Sequence, residues 1–154
     1  MSTWEAINGL LTESVYRLDN NKLEDWAELF AEDGVYRVVP RENIEQGLTG
    51  VLIVCNNRNM IRDRVTALRE ACEFNIHWDR HVTGSPRIKP LGGNEYAVES
   101  SYSLYQTDPE GESRLYSVGC YRDKIVLDGE AAQFKERIVV VDTFAIPNLL
   151  ATPI

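Results

Sequence analysis

Met60-Ile61-Arg62-Asp63-Arg64-Val65 and, further along, His77-Trp78-Asp79-Arg80-His81-Val82-Thr83-Gly84-Ser85-Pro86-Arg87-Ile88 bracket the place where this chain changes period. Before it, apolar residues recur at helical spacing; after it, they alternate with polar ones. Placed at about 100° per residue, Ile61, Val65, Leu68 and Cys72 form the centre of an apolar arc on a helix from about Arg58 to Cys72, with Met60, Ala67 and Ala71 at one edge. Arg64 falls inside that arc, Arg62 and Arg69 on one polar flank, Asp63 and Glu70 on another. A guanidinium on an apolar face needs a carboxylate or carbonyls, because a buried unpaired charge costs several kcal/mol. Arg64 is therefore expected to be a semi-buried anchor, either a subunit contact or cavity-lining charge, or a snorkelling residue over the edge of the core.

Towards the N-terminus, Ser2 or Thr3 can cap a first helix whose Trp4, Ile7, Leu11, Val15 and Leu18 make one stripe, ending near Asp19-Asn20-Asn21. A short second helix is predicted to carry Leu23, Trp26 and Phe30 on one face and to stop at Asp33-Gly34, where glycine can take a left-handed cap. Val35 to Val39 reads as a strand closed by Pro40, followed by a polar loop with Glu42, Asn43, Glu45 and Gly47, then the apolar run Val51 to Val54. Towards the C-terminus, turn signals at Gly84-Ser85-Pro86, Gly92-Gly93-Asn94, Asp108-Pro109-Glu110-Gly111 and Asp128-Gly129 separate long strands. Tyr96, Val98, Tyr102 and Leu104 alternate with Glu99, Ser101 and Ser103, and Phe134, Ile138 and Val140 sit between Lys135, Arg137 and Val139. Helices first and a strand meander afterwards imply an α+β fold, with helices packed on one face of a curved, mostly antiparallel sheet.

The chain has 154 residues, 44% hydrophobic and 26% charged, which predicts one domain over residues 1–154. Its formal net charge of -8, with arginines interleaved among acids, argues against a nucleic-acid surface. No leader-like segment and no apolar run near the ~20 residues that span a bilayer is present, so the expectation is a cytoplasmic protein without a membrane anchor. Cys55, Cys72 and Cys120 are odd in number and widely spaced, as reduced core thiols are.

His77 and His81 are four apart, a spacing that serves a metal on a helix. In an extended strand the rings would stand ~13 Å apart, too far to share an ion. No Cys-x-x-Cys or Cys-x-x-His pair, no Gly-x-Ser-x-Gly and no glycine-rich loop opening a helix accompanies them. The chain is thus expected to carry neither metal nor cofactor. Histidine could serve as a general base with Asp79 and Arg80 nearby, or these could be surface pairs. Tyr96, Tyr102, Tyr105, Tyr116 and Tyr121 suit either an interface or simple β-propensity.

Leu11-x-Glu13-x-x-x-x-Leu18-Asp19, Trp26-x-x-Leu29-Phe30-x-x-Asp33-Gly34-x-Tyr36, Pro40, Met60-x-x-Asp63-Arg64, Arg80-His81 and Arg87-Ile88 resemble the small (β) subunits of Rieske-type aromatic-ring-hydroxylating dioxygenases. Pro40-Arg41-Glu42-Asn43, Glu45-Gln46-Gly47, Ile146-Pro147-Asn148 and Pro153-Ile154 are similar to salicylate 5-hydroxylase-like small subunits, with terephthalate dioxygenase-like ones next. Gly84-Ser85-Pro86 departs from the plainer strand of many members. The resemblance implies a cone of the cystatin-like, nuclear-transport-factor-like (SnoaL-like) kind. It further implies a large (α) subunit that carries the Rieske iron-sulfur cluster and the mononuclear iron, an α3β3 hexamer on a trimer of this chain, and aromatic catabolism driven by NAD(P)H through reductase and ferredoxin. On that reading no residue here is catalytic, and Asp63, Arg64, Arg80 and His81 are structural or subunit-interface positions. The rival is a stand-alone cone-fold isomerase or dehydratase using His81 with Asp33, Tyr36 or Tyr102 around a hollow cone, or a small-ligand binding module with the same cavity.

Overall fold

Ser2 starts the first helix with a reciprocal capping box. Its Oγ accepts the Glu5 N–H at 3.1 Å and its own N–H donates to Glu5 Oε2 at 2.7 Å. The computed structural model describes residues 1–47, 50–71, 76–129, 131–142 and 153–154. Helix α1 (Thr3–Asp19) buries Ile7, Leu10, Leu11, Ser14 and Leu18, while Trp4, expected on this stripe, remains half exposed one turn above the packed region. Asn21 takes a left-handed turn at φ 57° and leads into α2 (Leu23–Ala27), which buries Leu23, Trp26 and Ala27.

Here the chain departs from the expected second helix. The helix ends at Ala27, and Phe30 already belongs to strand β1 (Phe30–Pro40). The spacing from Trp26 to Phe30 imitates a helical turn, but the Leu29 carbonyl accepts the Phe134 N–H at 2.9 Å, so pairing with a neighbouring strand replaces the next turn. Gly34 lies inside β1 rather than at a cap. A Cβ there would stand 2.8 Å from the Ala31 carbonyl oxygen and 3.0 Å from that of Phe134, so close backbone approach at a register shift between Phe30 and Val35 is what requires glycine.

The expected polar loop after Pro40 contains a one-turn helix, α3 (Arg41–Glu45), which follows Pro40 as its N-cap. The apolar run Val51 to Val54 yields a shorter strand, β2 (Ile53–Cys55), with Val51 and Leu52 exposed before it. Helix α4 (Arg58–Ala71) follows; Ile61 and Val65 are buried and Leu68 half-buried, whereas Met60 and Ala67 are exposed. Cys72, expected on this arc, lies outside the described residues. Two forked ion pairs tie α4 to α2: Arg62 to Glu28 at 2.7 and 2.8 Å, and Arg69 to Glu24 at 2.8 and 3.0 Å.

The remaining strands are β3 (Trp78–Thr83), β4 (Arg87–Gly92), β5 (Glu95–Thr107), β6 (Ser113–Asp128) and β7 (Ala131–Val141), and each expected turn separates two of them. Gly84-Ser85-Pro86 separates β3 from β4. The sheet runs β2-β1-β7-β6-β5-β3, with β4 also on β5, and among the described residues only β1 and β7 pair in parallel. α1 and α4 pack against this sheet, giving the expected α+β architecture.

Strand β7 corrects the simple alternation. Phe134 pairs with Ile125 and Glu136 with Lys124, leaving Lys135 as an extra residue that inverts the pleat. Arg137, Val139 and Val141 therefore join Phe134 on the helix-facing side, and Ile138 faces away. Arg137 is buried, yet every part of its fork is used: Nε and Nη2 donate to Asp123 at 3.0 and 3.3 Å, and Nη1 donates to Ser14 Oγ at 2.9 Å. Ser14 Oγ also accepts the Trp26 indole N–H at 3.2 Å. The guanidinium carbon lies 3.7 Å from the Tyr121 ring centre and 4.5 Å from that of Phe134. Burial pushes the Asp123 carboxyl up to about 6, although Arg137 pulls it down.

Replacing Arg137 with Met strands the Asp123 carboxylate and is expected to cost about 3–5 kcal/mol in urea unfolding, with much of the loss recovered in the Arg137→Met/Asp123→Leu double variant. At the surface, Arg69 holds the Glu24 carboxyl down at about 2, below its usual 4.5. A depressed carboxylate stabilises above its unfolded pKa and stops doing so as pH falls through the folded one. The urea midpoints of wild type and Glu24→Gln should thus differ modestly at neutral pH, within about 1 kcal/mol for so exposed a pair, and converge as pH drops towards 2.

Candidate functional site

The period-two spacing of β3 turns His77, Asp79 and His81 towards the interior and Trp78, Arg80 and Val82 outward, since His81 pairs with buried Leu104 and Arg80 with exposed Tyr105. His81 is the best-held of these side chains. Asp19, the last residue of α1, accepts the His81 backbone N–H on Oδ2 at 2.9 Å and contacts ring Nδ1 through Oδ1 at 2.5 Å. One carboxylate thereby blunts a free edge position of β3 and fixes the imidazole. Nδ1 is the ring nitrogen that meets Asp19; Nε2 is buried and makes no hydrogen bond among the described residues. The ring lies 6.5 Å from that of Tyr102, centre to centre.

Tyr102, next to this dyad, is one of three buried phenols of the interior. Tyr102 shares a hydrogen bond with Ser117 Oγ at 2.9 Å and stacks on Tyr121 at 4.7 Å. Burial pushes Tyr102 up to about 12 and raises Tyr36 and Tyr121 further, so all three stay protonated around neutral pH. Tyr36 donates its hydroxyl proton to the Ile154 carbonyl at 2.9 Å and accepts the Ile154 N–H at 3.0 Å. The Tyr121 hydroxyl is buried and has no hydrogen-bond partner among the described residues. On the rim, His77 Nε2 is 3.3 Å from Asp79 Oδ1, and burial raises the Asp79 carboxyl against the pull of His77 and His81.

Of the residues singled out from the sequence, His81, Tyr36 and Tyr102 are buried in this interior and Arg64 is half-buried, close enough for its charge to act on both the Tyr36 hydroxyl and the Cys55 thiol. Asp33 is exposed on β1, Asp63 on α4 and Arg80 on the outer face of β3. Sequence reasoning did not pair Asp19 with His81, and it left Arg137 outside the core. The first lay within the Leu18-Asp19 signature and at a helix end facing a strand 62 residues away; the second was hidden by the bulge at Lys135. Among the described residues no three His, Cys, Asp or Glu side chains gather to hold a metal ion. No helix among them is long and apolar enough to cross a membrane. Chemically, the interior offers one oriented imidazole, neutral phenols and a compensated guanidinium.

Asp19→Ala leaves two buried donors of His81 without an acceptor and is expected to lower stability by about 2 kcal/mol in chemical denaturation. In the wild type, imidazole nitrogen NMR should show the proton on Nδ1 of His81.

Comparison with known proteins agrees with this geometry. The SnoaL-like domain family matches residues 1–138. The anthranilate 1,2-dioxygenase small subunit of Burkholderia cepacia is 40% identical over 154 residues, spanning 100% of this chain and 96% of that one. The beta 1 subunit of the terminal oxygenase component of terephthalate 1,2-dioxygenase from a Comamonas species is 28% identical over 149 residues, covering 97% and 95%. A crystal structure from Novosphingobium aromaticivorans, assigned as the beta subunit of an aromatic-ring-hydroxylating dioxygenase, superposes with a TM-score of 0.89 at 38% identity and covers 98% of this chain and 96% of that one. Matched by the family over residues 1–138 and by the Burkholderia cepacia subunit along its whole length, the chain belongs to the SnoaL-like family as a small subunit of the aromatic-ring dioxygenases.

Proposed function

We propose that this chain scaffolds the oxygenase component of an aromatic-ring hydroxylase acting on an aromatic carboxylate, and that the oxidation takes place in a large-subunit partner carrying the Rieske cluster and the mononuclear iron. The observation that carries the proposal is the 40% identity to a dioxygenase small subunit over the full 154 residues. The hydrogen-bonded interior supports it. Tyr36 is engaged by Ile154, Tyr102 by Ser117 and Tyr121, and Arg137 by Asp123 and Ser14, which gives a rigid body suited to holding a partner. We further propose that residues 1–154 act as one domain, that three copies form the base of an α3β3 hexamer, and that the assembly works in the cytoplasm, where the free thiols of Cys55 and Cys120 persist. Asp63, Arg64, Arg80 and His81 are then positions of packing and assembly.

One observation favours a second reading, a cone-fold isomerase, dehydratase or ligand-binding module: Nε2 of His81 and the Tyr121 hydroxyl are both buried and without a hydrogen-bond partner among the described residues. A single experiment separates the two. Co-expression with a large oxygenase subunit should give a co-purifying complex that hydroxylates benzoate-type acids in the presence of reductase and ferredoxin, whereas the large subunit alone should be far less active. His81→Ala, if it folds, should leave that turnover within about twofold, because the residue touches no reacting group in the scaffold reading. A large subunit equally active by itself would refute the scaffold reading, and turnover lost in a folded His81→Ala complex would favour the second.

A further inference from the structure

Ile154 enters the core from outside the helices and strands. It is 1% exposed, and Pro153 before it is buried as well, yet neither belongs to a secondary-structure element. Both backbone groups of Ile154 go to one side chain. Tyr36 Oη donates to the Ile154 backbone oxygen at 2.9 Å and accepts the Ile154 N–H at 3.0 Å, across 118 positions of sequence. A hydroxyl has one proton to give and lone pairs to receive, so a single phenol can read an N–H and an oxygen acceptor together.

The surroundings of that contact have the make-up of a small-molecule site. Tyr36 stands edge-on to Trp26 at 5.1 Å and to Phe30 at 6.0 Å, and the Arg64 and Arg137 charges act on its hydroxyl. The Tyr36, Tyr102 and Tyr121 hydroxyls influence one another, which puts them in one region of the interior, and the His81 ring lies 6.5 Å from that of Tyr102. Two polar atoms of this region, Tyr121 Oη and His81 Nε2, are buried without a hydrogen-bond partner among the described residues. An aromatic wall with a few convergent polar atoms is how ligand pockets are built. Here the position in front of Tyr36 is taken by the chain itself.

We propose that the interior keeps a binding seat in front of Tyr36 for an N-acyl amino acid with a branched apolar side chain, and that Pro153-Ile154 is its built-in occupant. The Ile154 side chain fills the apolar part, as its place in the hydrophobic cluster requires, and its backbone satisfies the phenol. A ligand entering this interior has to displace a residue tethered to the same chain, and tethering favours that residue over a free molecule of similar affinity. The inference goes beyond the scaffold reading: it gives a reason why an interior with an oriented imidazole and neutral phenols is closed to small molecules.

The test removes the occupant and offers it back. A variant lacking Pro153 and Ile154 is expected to melt about 5–15 °C below the full-length chain, for the loss of a buried branched side chain and of the partner of Tyr36. Acetyl-prolyl-isoleucine at about 10 mM should restore at least half of that loss and leave the full-length chain unmoved, whereas acetyl-prolyl-aspartate, which would bury an unpaired charge, should restore nothing. Adding Tyr36→Phe to the shortened chain should cut the recovery to less than half. A shortened chain as stable as the full-length one, no recovery with the isoleucine peptide, equal recovery with the aspartate peptide or an equal shift of the full-length chain overturns the seat. Should the shortened chain not fold alone, refolding from urea with each peptide decides. Return of the native near-ultraviolet circular dichroism with the isoleucine peptide only supports the seat, and no return overturns it.

Discussion

A guanidinium enclosed by a sheet and two helices is the constraint on which the interior depends. Taking Arg137 out of water costs several kcal/mol, and nothing in an apolar core would return it. The fold answers with a carboxylate from β6, a hydroxyl from α1 and two aromatic faces from β6 and β7. Ser14 is the link that makes this more than a local pair, because its oxygen receives both Arg137 and the indole of Trp26 on α2. Two helices and two strands are thereby brought to one cluster by directional bonds, and the aromatic contacts of Trp26 with Phe30 and Tyr36, both at 5.1 Å and edge-on, extend it into β1.

The His81 dyad is the second polar centre and differs in kind. Arg137 is compensated on every side, whereas His81 is bound through one nitrogen and through its backbone and keeps the other nitrogen free of hydrogen bonds among the described residues. Asp19 joins α1 to the β3 end of the sheet in the way Ser14 joins it to β7. The first helix is thus stitched at two points, to β3 at one edge of the strand order and to β7 in its middle. Family membership gives this arrangement its biological sense: a small subunit needs rigidity and presentable surfaces, and its relatives share the whole length of the chain.

The change of period around Met60 to Ile88 made the layered architecture legible from residues alone, because Ile61 and Val65 obey helical spacing and the β5 residues Val98, Tyr102 and Leu104 obey alternation. Turns written in glycine were equally readable, as at Gly93 and Gly129, whose φ values are 60° and 64°. What escaped were features that depend on partners distant in sequence. Phe30 sits at helical spacing from Trp26 yet is claimed by β7; Gly34 looks like a cap yet answers to the Phe134 carbonyl; Asp19 looks like a helix end yet is the anchor of His81. Each is decided by backbone or side-chain groups 62 to more than 100 positions away, to which local periodicity is blind. Within the interior, His81, Tyr36 and Tyr102 were recognisable as residue types, whereas Arg137 and Asp123 were not, because the inserted Lys135 exchanges the two sides of its strand.

That insertion has a consequence for how the chain finds its fold. Ile138 and Val140 on one side of β7 are as apolar as Val139 and Val141 on the other, so hydrophobicity hardly distinguishes the native pleat from the one obtained by slipping a single residue. The slipped strand would bury isoleucine and valine comfortably, but it would turn Arg137 away from Asp123 and leave a carboxylate alone in the core. The costly charged residue thus acts as a proofreading device: the ion pair need contribute little net stability and still select one register out of two, by making the wrong one intolerable.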